Sequence, residues 1–437
     1  MIKSRAFQQL ARVLVFQSFT FVLIVAGCFS APLMGIAEEL ILKKGDRVAI
    51  VGDSITEQKL YSKFMELYLL ACVPQLDLTM YQFGWSGERA PGFAKRMEND
   101  FVPWKPTVVT TCFGMNDGSY QPYTDAIGKT YEDGTRRIHT RCKELGARMI
   151  VGGPGPVDTE SWKSSEPDAD KYYNDNLSKL SAIAGRLAVE NGFVYAKLHP
   201  IMMKVMEDAK AALGAGYCVC GNDGVHPAAN GHMVMAYAFL KAMGLDGNIG
   251  TITVDMNGSA TATEGHRVIS AANGKVEVES TRYPFCFYGN EKDSNGTSSI
   301  LPFLPFNRDL NRYMLVVKNL SAPMAEVKWG NSAKAFTKAE LEAGINLADA
   351  FLKNPFSEPF SKLDQVVAGK QYRETRAIKG LITNFRGIMD DFPEDKEVAA
   401  ATETLSRKIW ERNAQDAVLA RAAVKPVVHT IQITPKQ

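Results

Sequence analysis

The 437-residue sequence lacks the features that mark several common classes of protein. Its 50 Lys and Arg residues nearly balance its 48 Asp and Glu residues, and the formal net charge of +2 gives no indication of a nucleic-acid partner. It has no Cys and His spacing typical of a zinc site, no P-loop and no Gly-rich dinucleotide-binding loop. No internal repeat is evident. The length favours two domains, and a hydrophobic content of 46% is that of an ordinary globular protein.

The N-terminus differs from the rest of the chain. Residues 1–12 contain Lys3, Arg5 and Arg12 and no acidic residue, and residues 13–27 are apolar apart from three polar side chains. A basic segment followed by an apolar run too short to span a bilayer comfortably is typical of an export signal. We therefore predict that residues 1–37 are a signal peptide, with a single N-terminal membrane anchor as the less favoured alternative.

The cleavage site of this signal has two candidates. Residues 35–37 (GIA) offer the small residues that signal peptidase requires, whereas residues 25–28 (VAGC) resemble a bacterial lipobox, in which Cys28 would carry a lipid. Either one predicts an exported protein that is periplasmic, secreted or lipid-anchored to the cell envelope. Export would allow some of the six later cysteines to pair, but the sequence assigns no disulfide.

Strand and helix patterns alternate from about residue 46 to residue 243. Short apolar runs predict strands at residues 48–51, 76–81, 108–112, 149–151 and 193–196. Helical spacing predicts helices that include residues 61–72, 126–145, 172–191 and 228–243. This alternation indicates a parallel sheet with helices on both faces, and we place the first domain at residues 46–245.

The pattern changes after residue 245. Residues 249–330 contain short strand-like pieces separated by Gly, Asn and Ser, and they predict a small β module. Residues from Thr337 onward have helical spacing broken by prolines, which predicts a helical C-terminal region over residues 337–425. The aromatic residues of the β module allow two interpretations, a sugar-binding face or the core of the module.

The first predicted strand ends abruptly in polar residues. In VAIVGDSITE (residues 48–57) the apolar run stops at Gly52-Asp53-Ser54. These residue types are common in turns and at helix N-caps, so a structural role explains them on their own. Ligands, however, bind at the carboxyl ends of parallel strands, so Ser54 is also a candidate nucleophile.

A serine nucleophile needs a base, and the stretch DGVHP (residues 223–227) contains one. Asp223 and His226 lie three residues apart just before the last predicted helix of the domain. At that spacing Asp223 could accept the Nδ1 proton of His226 and leave Nε2 facing Ser54. An ordinary turn with a capping role is the alternative explanation of the pair.

Two further stretches offer donors for an oxyanion. GMND (residues 114–117) follows the third predicted strand, where the Asn116 amide could point at a developing negative charge. GWSGER (residues 84–89) follows the second strand, and a glycine there lets a backbone N–H approach a substrate. Each stretch alone is also an ordinary turn. Together the four stretches form the complete set that acyl transfer requires, on one side of the sheet.

With these four blocks in this order, the chain resembles the SGNH hydrolases of the GDSL family. The family blocks are GDS, a Gly-bearing loop after the second strand, GxND and DxxHP, which match residues 52–54, Gly87, 114–117 and 223–227. The resemblance covers about residues 46–243 and implies a flavodoxin-like three-layer α/β/α sandwich. One departure is that many members have an Asn shortly before the glycine, where this chain has QFG at residues 82–84, which leaves the support of the loop open.

The resemblance also implies roles for individual residues. Ser54 would be the nucleophile, His226 the general base and Asp223 its orienting acid. The oxyanion hole would consist of the backbone N–H groups of Ser54 and Gly87 and the side chain of Asn116. Ser54 would attack an ester carbonyl, and water would later release the acid from the acyl-enzyme, with no metal or cofactor required.

The substrate is less well determined by the sequence. Trp85, Arg89 and Tyr120 lie near the blocks and could contact a sugar, although Trp85 would equally well pack its loop. An exported member with a β appendage resembles carbohydrate esterases that deacetylate polysaccharides, which is our preferred prediction. The alternatives are a lipolytic esterase or lysophospholipase and, less favoured, a non-catalytic envelope carbohydrate-binding protein. We expect the helices after Thr337 to pack beside the rim of the site and narrow it.

Overall fold

A five-stranded parallel sheet forms the centre of the N-terminal half in the computed structural model, which describes residues 39–164 and 166–437. Its strands are β1 (Arg47–Gly52), β2 (Thr79–Gln82), β3 (Val108–Cys112), β4 (Arg148–Gly152) and β5 (Val194–Ala196). The order is β2-β1-β3-β4-β5, and every neighbouring pair is parallel. Strand β2 lies on one side of β1, and β3 and the later strands lie on the other side. At such a change of direction a crevice opens beyond the carboxyl ends of the two adjacent strands, here β1 and β3.

Helices cover both faces of this sheet. They are α1 (Ser54–Glu57), α2 (Tyr61–Ala71), α3 (Ala90–Asp100), α4 (Asp125–Glu144), α5 (Ala169–Glu190), α6 (Leu198–Leu213) and α7 (Ala229–Ala242). Side chains alternate along β1, so Val48 and Ile50 pack in the core with α2 and α7, whereas Ala49 and Val51 pack in the core with α3 and α4. The predicted flavodoxin-like three-layer sandwich is confirmed.

Two details of the first domain differ from the sequence-based expectation. The predicted strand at residues 76–81 begins later, because a 3-10 helix at Pro74–Leu76 precedes β2. Helices α3 and α6 are not among the helices that the sequence analysis named, and each has a proline in its first turn, Pro91 in α3 and Pro200 in α6. Proline fits the first turn of a helix because the N–H groups there have no intrahelical acceptor.

Two further sheets occupy the C-terminal half. The elements in chain order are β6 (Asn248–Asp255), β7 (Ser259–Ala262), β8 (His266–Ala272), β9 (Lys275–Ser280), α8 (Phe306–Leu310), β10 (Arg312–Lys318), β11 (Met324–Trp329), β12 (Ser332–Thr337), α9 (Lys338–Ala343), β13 (Ile345–Asn346), α10 (Leu347–Ala350), α11 (Ser357–Ala377), α12 (Thr383–Asp391), α13 (Lys396–Ala422) and β14 (Val427–Lys436). One sheet has the order β13-β10-β6-β7 and the other β12-β11-β14-β9-β8. A π-helical turn, Ile378–Ile382, joins α11 to α12.

The predicted helical region ends at residue 425, and the residues after it form a strand for which the sequence analysis made no prediction. Strand β14 pairs antiparallel with both β11 and β9 and lies in the middle of its sheet. Its buried residues His429, Ile431 and Ile433 alternate with more exposed ones, which is the period of a half-buried strand. Strand β14 therefore belongs to the β module, although helices α11 to α13 separate it in sequence from the other strands.

The β module shares its core with the first domain. One continuous apolar cluster runs from Val48 through Phe285 to Trp329 and Ile431, and the described residues group as one compact unit. Most aromatic residues of the module are buried, so they favour the core interpretation over a sugar-binding face, with the half-exposed Tyr288 as an exception. The domain boundaries at residues 245, 330 and 337 stay predictions.

Helix α11 covers the exposed edge of the parallel sheet. The Lys370 ammonium, 1% exposed, donates to the backbone oxygen of Met80 in β2 at 2.8 Å and lies 2.9 Å from Glu66 of α2. Glu374, one turn further along α11, accepts the backbone N–H of Gln82 at 3.1 Å. An unpaired strand edge is a template for pairing with another chain, and here side chains of α11 satisfy two backbone groups of the β2 edge.

Residues 1–38 and 165 are not described, so the predicted signal peptide and Cys28 lie outside the described residues. Within the described ranges, no helix is both long and apolar enough to cross a membrane. The six cysteines after residue 39 are all free thiols.

Candidate active site

Ser54 stands where β1 passes directly into α1. Asp53 caps this short helix, because its Oδ1 accepts the backbone N–H of Ile55 at 3.0 Å. Within Gly52-Asp53-Ser54, the helix-capping role therefore belongs to Asp53. The half-buried Ser54 is left at the carboxyl end of the sheet, at the mouth of the crevice beside β3.

The structure brings Ser54, His226 and Asp223 into one chain of hydrogen bonds. The Ser54 Oγ lies 2.9 Å from His226 Nε2, and His226 Nδ1 lies 2.7 Å from Asp223 Oδ2. Because a carboxylate can only accept, the imidazole carries its proton on Nδ1 and donates it to Asp223. The Nε2 lone pair then faces the serine hydroxyl, which is the arrangement in which an imidazole can remove the serine proton.

Asp223 holds both the ring and the backbone of the histidine. Its Oδ1 accepts the backbone N–H groups of Val225 and His226 at 2.9 and 2.8 Å. Partial burial acts to raise the pKa of Asp223, but these two hydrogen bonds and the imidazole lower the pKa overall. The side chains of Asp223 and His226 are 56% and 35% exposed, so solvent and substrate reach the base directly.

The glycine-bearing loop after β2 lies against α1, the helix that begins at Ser54. It begins with the Trp85 N–H donating to the Gly52 oxygen at 3.1 Å, and it turns where the Glu88 N–H donates to the Trp85 oxygen at 3.0 Å. Gly87 has φ +75°, a conformation that favours glycine. A Cβ at Gly84 would lie 2.4 Å from the backbone nitrogen of Glu57, so only glycine allows this close approach to α1.

Gln82 supports the glycine-bearing loop, which lacks the Asn that many family members have shortly before the glycine. Its side-chain Oε1 accepts the backbone N–H of Gly84 at 3.0 Å, and its Nε2 donates to the backbone oxygen of Gln371 in α11 at 3.3 Å. The amide of Gln82 therefore supports the start of the loop and links it to the C-terminal half of the chain.

Asn116 follows β3, and its amide is fixed from both ends. Its Nδ2 donates to the backbone oxygen of Glu88 at 3.1 Å and lies 3.4 Å from Asp53 Oδ2. Its Oδ1 accepts the Tyr120 hydroxyl at 3.3 Å. These contacts hold the Asn116 amide between the glycine-bearing loop, Asp53 and Tyr120, and its role as an oxyanion donor stays a prediction.

Two buried carboxylates lie beneath these donors. Burial raises the pKa of Asp53 to about 7, and Asp117 adds to this effect. Burial likewise raises the pKa of Asp117 to about 7, although its Oδ1 accepts the backbone N–H of Ala90 at 3.0 Å. Both groups thus titrate near neutral pH under the loop and Asn116.

The three predicted substrate contacts have different surroundings. Trp85 packs against the core, with Arg96 and Lys379 each over its ring at 4.9 Å, which supports the loop-packing alternative. Tyr120 stacks on Tyr173 with ring centroids 5.1 Å apart, besides orienting Asn116. Arg89 is exposed immediately before α3. A substrate role for each of the three stays a prediction.

Sequence analysis missed three residues at the site. Trp162, in the loop after β4, lies 6.1 Å from the Tyr120 ring and packs against Gly224 of the DGVHP turn. Its position after a parallel strand was a signal that could have been used. Glu57 and Lys379 form an ion pair beside Trp85, which places the C-terminal segment next to the site as expected; that it narrows the site stays a prediction.

No group of three or more His, Cys, Asp or Glu side chains in residues 39–164 and 166–437 is arranged to hold a metal ion.

Comparison with known proteins agrees with the motif assignment. Residues 50–234 match the GDSL-like lipase/acylhydrolase family. An acetylxylan esterase of Geobacillus stearothermophilus is 23% identical over 224 residues, which cover 46% of this chain and 95% of that protein. The similarity to this relative is confined to about half of the chain.

Solved structures extend the comparison to both halves. A gut microbial diltiazem-metabolizing enzyme superposes with a TM-score of 0.68 and 22% identity over 90% of this chain and 98% of that chain, so the two share a fold. A GDSL-like lipase from Parabacteroides merdae, described as putative, is 24% identical and covers 47% of this chain and 98% of its own, with a TM-score of 0.40. Residues 50–234 belong to the GDSL-like lipase/acylhydrolase family of SGNH hydrolases, and the protein is a hydrolase of ester bonds.

Proposed function

We propose that the protein is a serine esterase that removes acetyl groups from a carbohydrate. The observation that carries the catalytic part is the chain of hydrogen bonds from Ser54 through His226 to Asp223, at 2.9 and 2.7 Å. The acetyl and carbohydrate parts are supported by the similarity to an acetylxylan esterase at 23% identity.

The proposed reaction begins with attack of the Ser54 oxygen on the ester carbonyl carbon. The serine proton passes to His226 Nε2, and Asp223 stabilises the imidazolium that forms. The negative charge on the carbonyl oxygen is met by the backbone N–H groups of Ser54 and Gly87 and by the Asn116 amide.

The second half of the reaction regenerates the serine. The tetrahedral intermediate collapses as His226 donates its proton to the departing alcohol oxygen, which leaves an acyl-serine. His226 then removes a proton from water, and the hydroxide formed attacks the acyl carbon. Collapse of this second intermediate breaks the bond to Ser54, returns the proton to its oxygen and releases the acid.

The test is hydrolysis of p-nitrophenyl acetate, p-nitrophenyl octanoate and acetylated xylo-oligosaccharides by the wild type and by Ser54→Ala. We expect turnover of both acetylated substrates that is lost in Ser54→Ala, with the octanoate turned over more slowly. A preference for octanoate would support the lipolytic alternative instead. A lack of Ser54-dependent turnover of any ester would overturn the mechanism.

We also propose that the chain is exported, from the basic segment and apolar run of residues 1–27. N-terminal sequencing of the protein recovered from a cell-envelope fraction tests this proposal. A mature start after residue 37 indicates a cleaved signal, whereas a lipid-modified N-terminus at Cys28 indicates anchoring. A protein that retains Met1 would contradict the proposed cleavage.

A further inference from the structure

The loop that carries Gly87 must hold its backbone N–H in place before a substrate arrives. A donor contributes to catalysis when it is already aimed at the position that the oxyanion will occupy. Gly87 itself is exposed, and a Cβ there would meet no atom within 4 Å. The placement of its N–H therefore depends on what anchors the neighbouring residues of the loop.

Glu57 anchors the residue just before Gly87. Its Oε2 accepts both the backbone N–H and the hydroxyl of Ser86, at 2.5 and 2.6 Å. Glu57 is the last residue of α1, whose first residue is Ser54. One carboxylate thus ties the glycine-bearing loop to the helix of the nucleophile.

Lys379 completes this anchor from the C-terminal half of the chain. Its ammonium lies 2.9 Å from each oxygen of Glu57 and 4.9 Å from the centre of the Trp85 ring. Burial acts to raise the pKa of Glu57, but the hydrogen bonds from Ser86 and Lys379 lower the pKa overall. The cation therefore helps to stabilise the carboxylate and also lies over the ring of Trp85 in the loop.

The backbone that carries Lys379 is itself held firmly. Lys379 lies in the π-helical turn Ile378–Ile382, and Asn99 of α3 donates to the Ile382 oxygen at 2.9 Å. The preceding helix α11 is fixed by the buried Lys370 against α2 and β2. Turns of π-helix within α-helices are frequently found at functional sites, since they change the direction of the side chains that follow.

We infer that Lys379 is a positioning residue for the glycine-bearing loop. It acts through Glu57 and Ser86 on the backbone N–H of Gly87. The loop is then supported by the C-terminal half at both ends, by the Gln82–Gln371 contact at its start and by Lys379 at its turn. This inference rests on the proposed function, because it assigns a role in the same reaction.

The test compares three variants with p-nitrophenyl acetate as the substrate. Lys379→Met removes the charge and keeps the length of the side chain, and Lys379→Arg restores a cation. The matched control is Lys63→Met, because Lys63 of α2 pairs with Asp364 of α11 at 2.8 Å and thus also joins the two halves. We expect kcat to fall about tenfold in Lys379→Met with KM within about twofold, because the donor is loosened and not removed.

Lys379→Arg should recover at least half of the lost kcat, and Lys63→Met should leave kcat unchanged. Inhibition by phenylboronic acid adds a readout that a purely structural role would not move. Its tetrahedral adduct with Ser54 occupies the oxyanion site, so its inhibition constant should rise in Lys379→Met by the same factor as kcat falls.

Unchanged kcat in Lys379→Met, a loss confined to KM, or an equal loss in Lys63→Met would each overturn the inference. If Lys379→Met unfolds, Ser86→Ala tests the same anchor, because Ser86 is exposed and its substitution should not unfold the protein. We expect kcat of Ser86→Ala to fall about threefold. Ser54-dependent turnover that is insensitive to Lys379 and Ser86 overturns the inference alone. A lack of Ser54-dependent turnover in the wild type overturns the proposed function and the inference together.

Discussion

The two halves of the molecule each contain a serine and a histidine at hydrogen-bond distance. In the N-terminal half Ser54 Oγ lies 2.9 Å from His226 Nε2, and in the C-terminal half Ser280 Oγ lies 3.0 Å from His429 Nε2. By distance alone, the second pair is as good a nucleophile and base as the first.

The surroundings of the two pairs differ in every respect that matters for catalysis. The Nδ1 of His226 faces the carboxylate of Asp223, whereas the Nδ1 of His429 accepts the indole N–H of Trp329 at 3.1 Å. Burial lowers the pKa of His429 to about 3. Ser280 has no exposed surface, so a substrate cannot reach it.

The comparison shows what turns a serine and histidine contact into a site. A base needs an acceptor for its second proton, access to solvent and nearby donors for the charge that develops. His429 has neither the carboxylate acceptor nor the solvent access, and it instead joins Trp329 of its own sheet to Tyr313 of the other sheet of the β module. The first pair fits the proposed reaction, whereas the second stabilises a core.

The largest expected effect separates the two histidines by activity. His226→Ala removes the general base, and we expect kcat to fall by about 10⁴-fold or more. The melting temperature should change little, because His226 is partly exposed and lies at the rim. Steady-state kinetics with p-nitrophenyl acetate and a thermal melt check both statements, and retention of more than a tenth of kcat would contradict the assignment.

The converse variant separates the two histidines by stability. His429→Ala leaves a cavity and deprives the Trp329 N–H and the Tyr313 hydroxyl of a partner, and we expect the free energy of unfolding to fall by about 2–5 kcal/mol. The kcat of the folded variant should stay within about twofold of the wild type. Urea denaturation measures the first quantity, and a loss of kcat without a loss of stability would place His429 in the reaction.

Asn116 tests whether the N-terminal pair works with an oxyanion donor. Asn116→Ala removes the side-chain amide, and we expect kcat to fall by about 10²–10³-fold with little change in KM. Ser280→Ala is the control for a polar deletion in the other half, and its kcat should be unchanged. A KM effect alone in Asn116→Ala would mean that the amide binds the substrate and does not stabilise the transition state.

The buried Asp53 predicts a smaller, pH-dependent effect on stability. Burial raises its pKa to about 7 from an ordinary value of 3.8, so the folded protein binds an extra proton between those pH values. The free energy of unfolding should therefore fall as pH rises through this window. In Asp53→Asn the fall between pH 5 and pH 8 should be smaller by on the order of 1–3 kcal/mol.

Urea denaturation of both proteins at the two pH values checks the Asp53 prediction. Some pH dependence should remain in the variant, because burial also raises the pKa of Asp117 to about 7. An equal loss of stability in wild type and variant would show that Asp53 is ionised throughout this range in the folded protein.

The sequence predicts the parts of the molecule that depend on neighbouring residues. Strand β3 was predicted with its observed bounds, and the catalytic blocks were found because each is a short motif at the tip of a strand. His226 and Asp223 meet because they share one turn, so their contact follows from a spacing of three residues. Ser54 lies at the same edge of the sheet because it follows the carboxyl end of a parallel strand.

Contacts between distant parts of the chain could not be predicted in this way. Lys379 meets Glu57 across more than 300 residues, and nothing in the residues around either side chain indicates the other. The alternation at His429, Ile431 and Ile433 could have indicated strand β14, but no element was predicted after the helical region that ends at residue 425. Because β14 lies in the middle of its sheet, deletion of residues 337–437 would remove a central strand, and Lys379→Met is the better test of the C-terminal half.

The most direct test of the account is labelling with diisopropyl fluorophosphate, followed by mass spectrometry of the peptides. The account predicts one phosphoryl adduct on Ser54 of the active enzyme, loss of activity in proportion to labelling, and greatly slowed labelling in His226→Ala. Ser280 should remain unmodified in the folded protein. An adduct on another residue, or full inactivation without modification of Ser54, would contradict the assignment of the nucleophile.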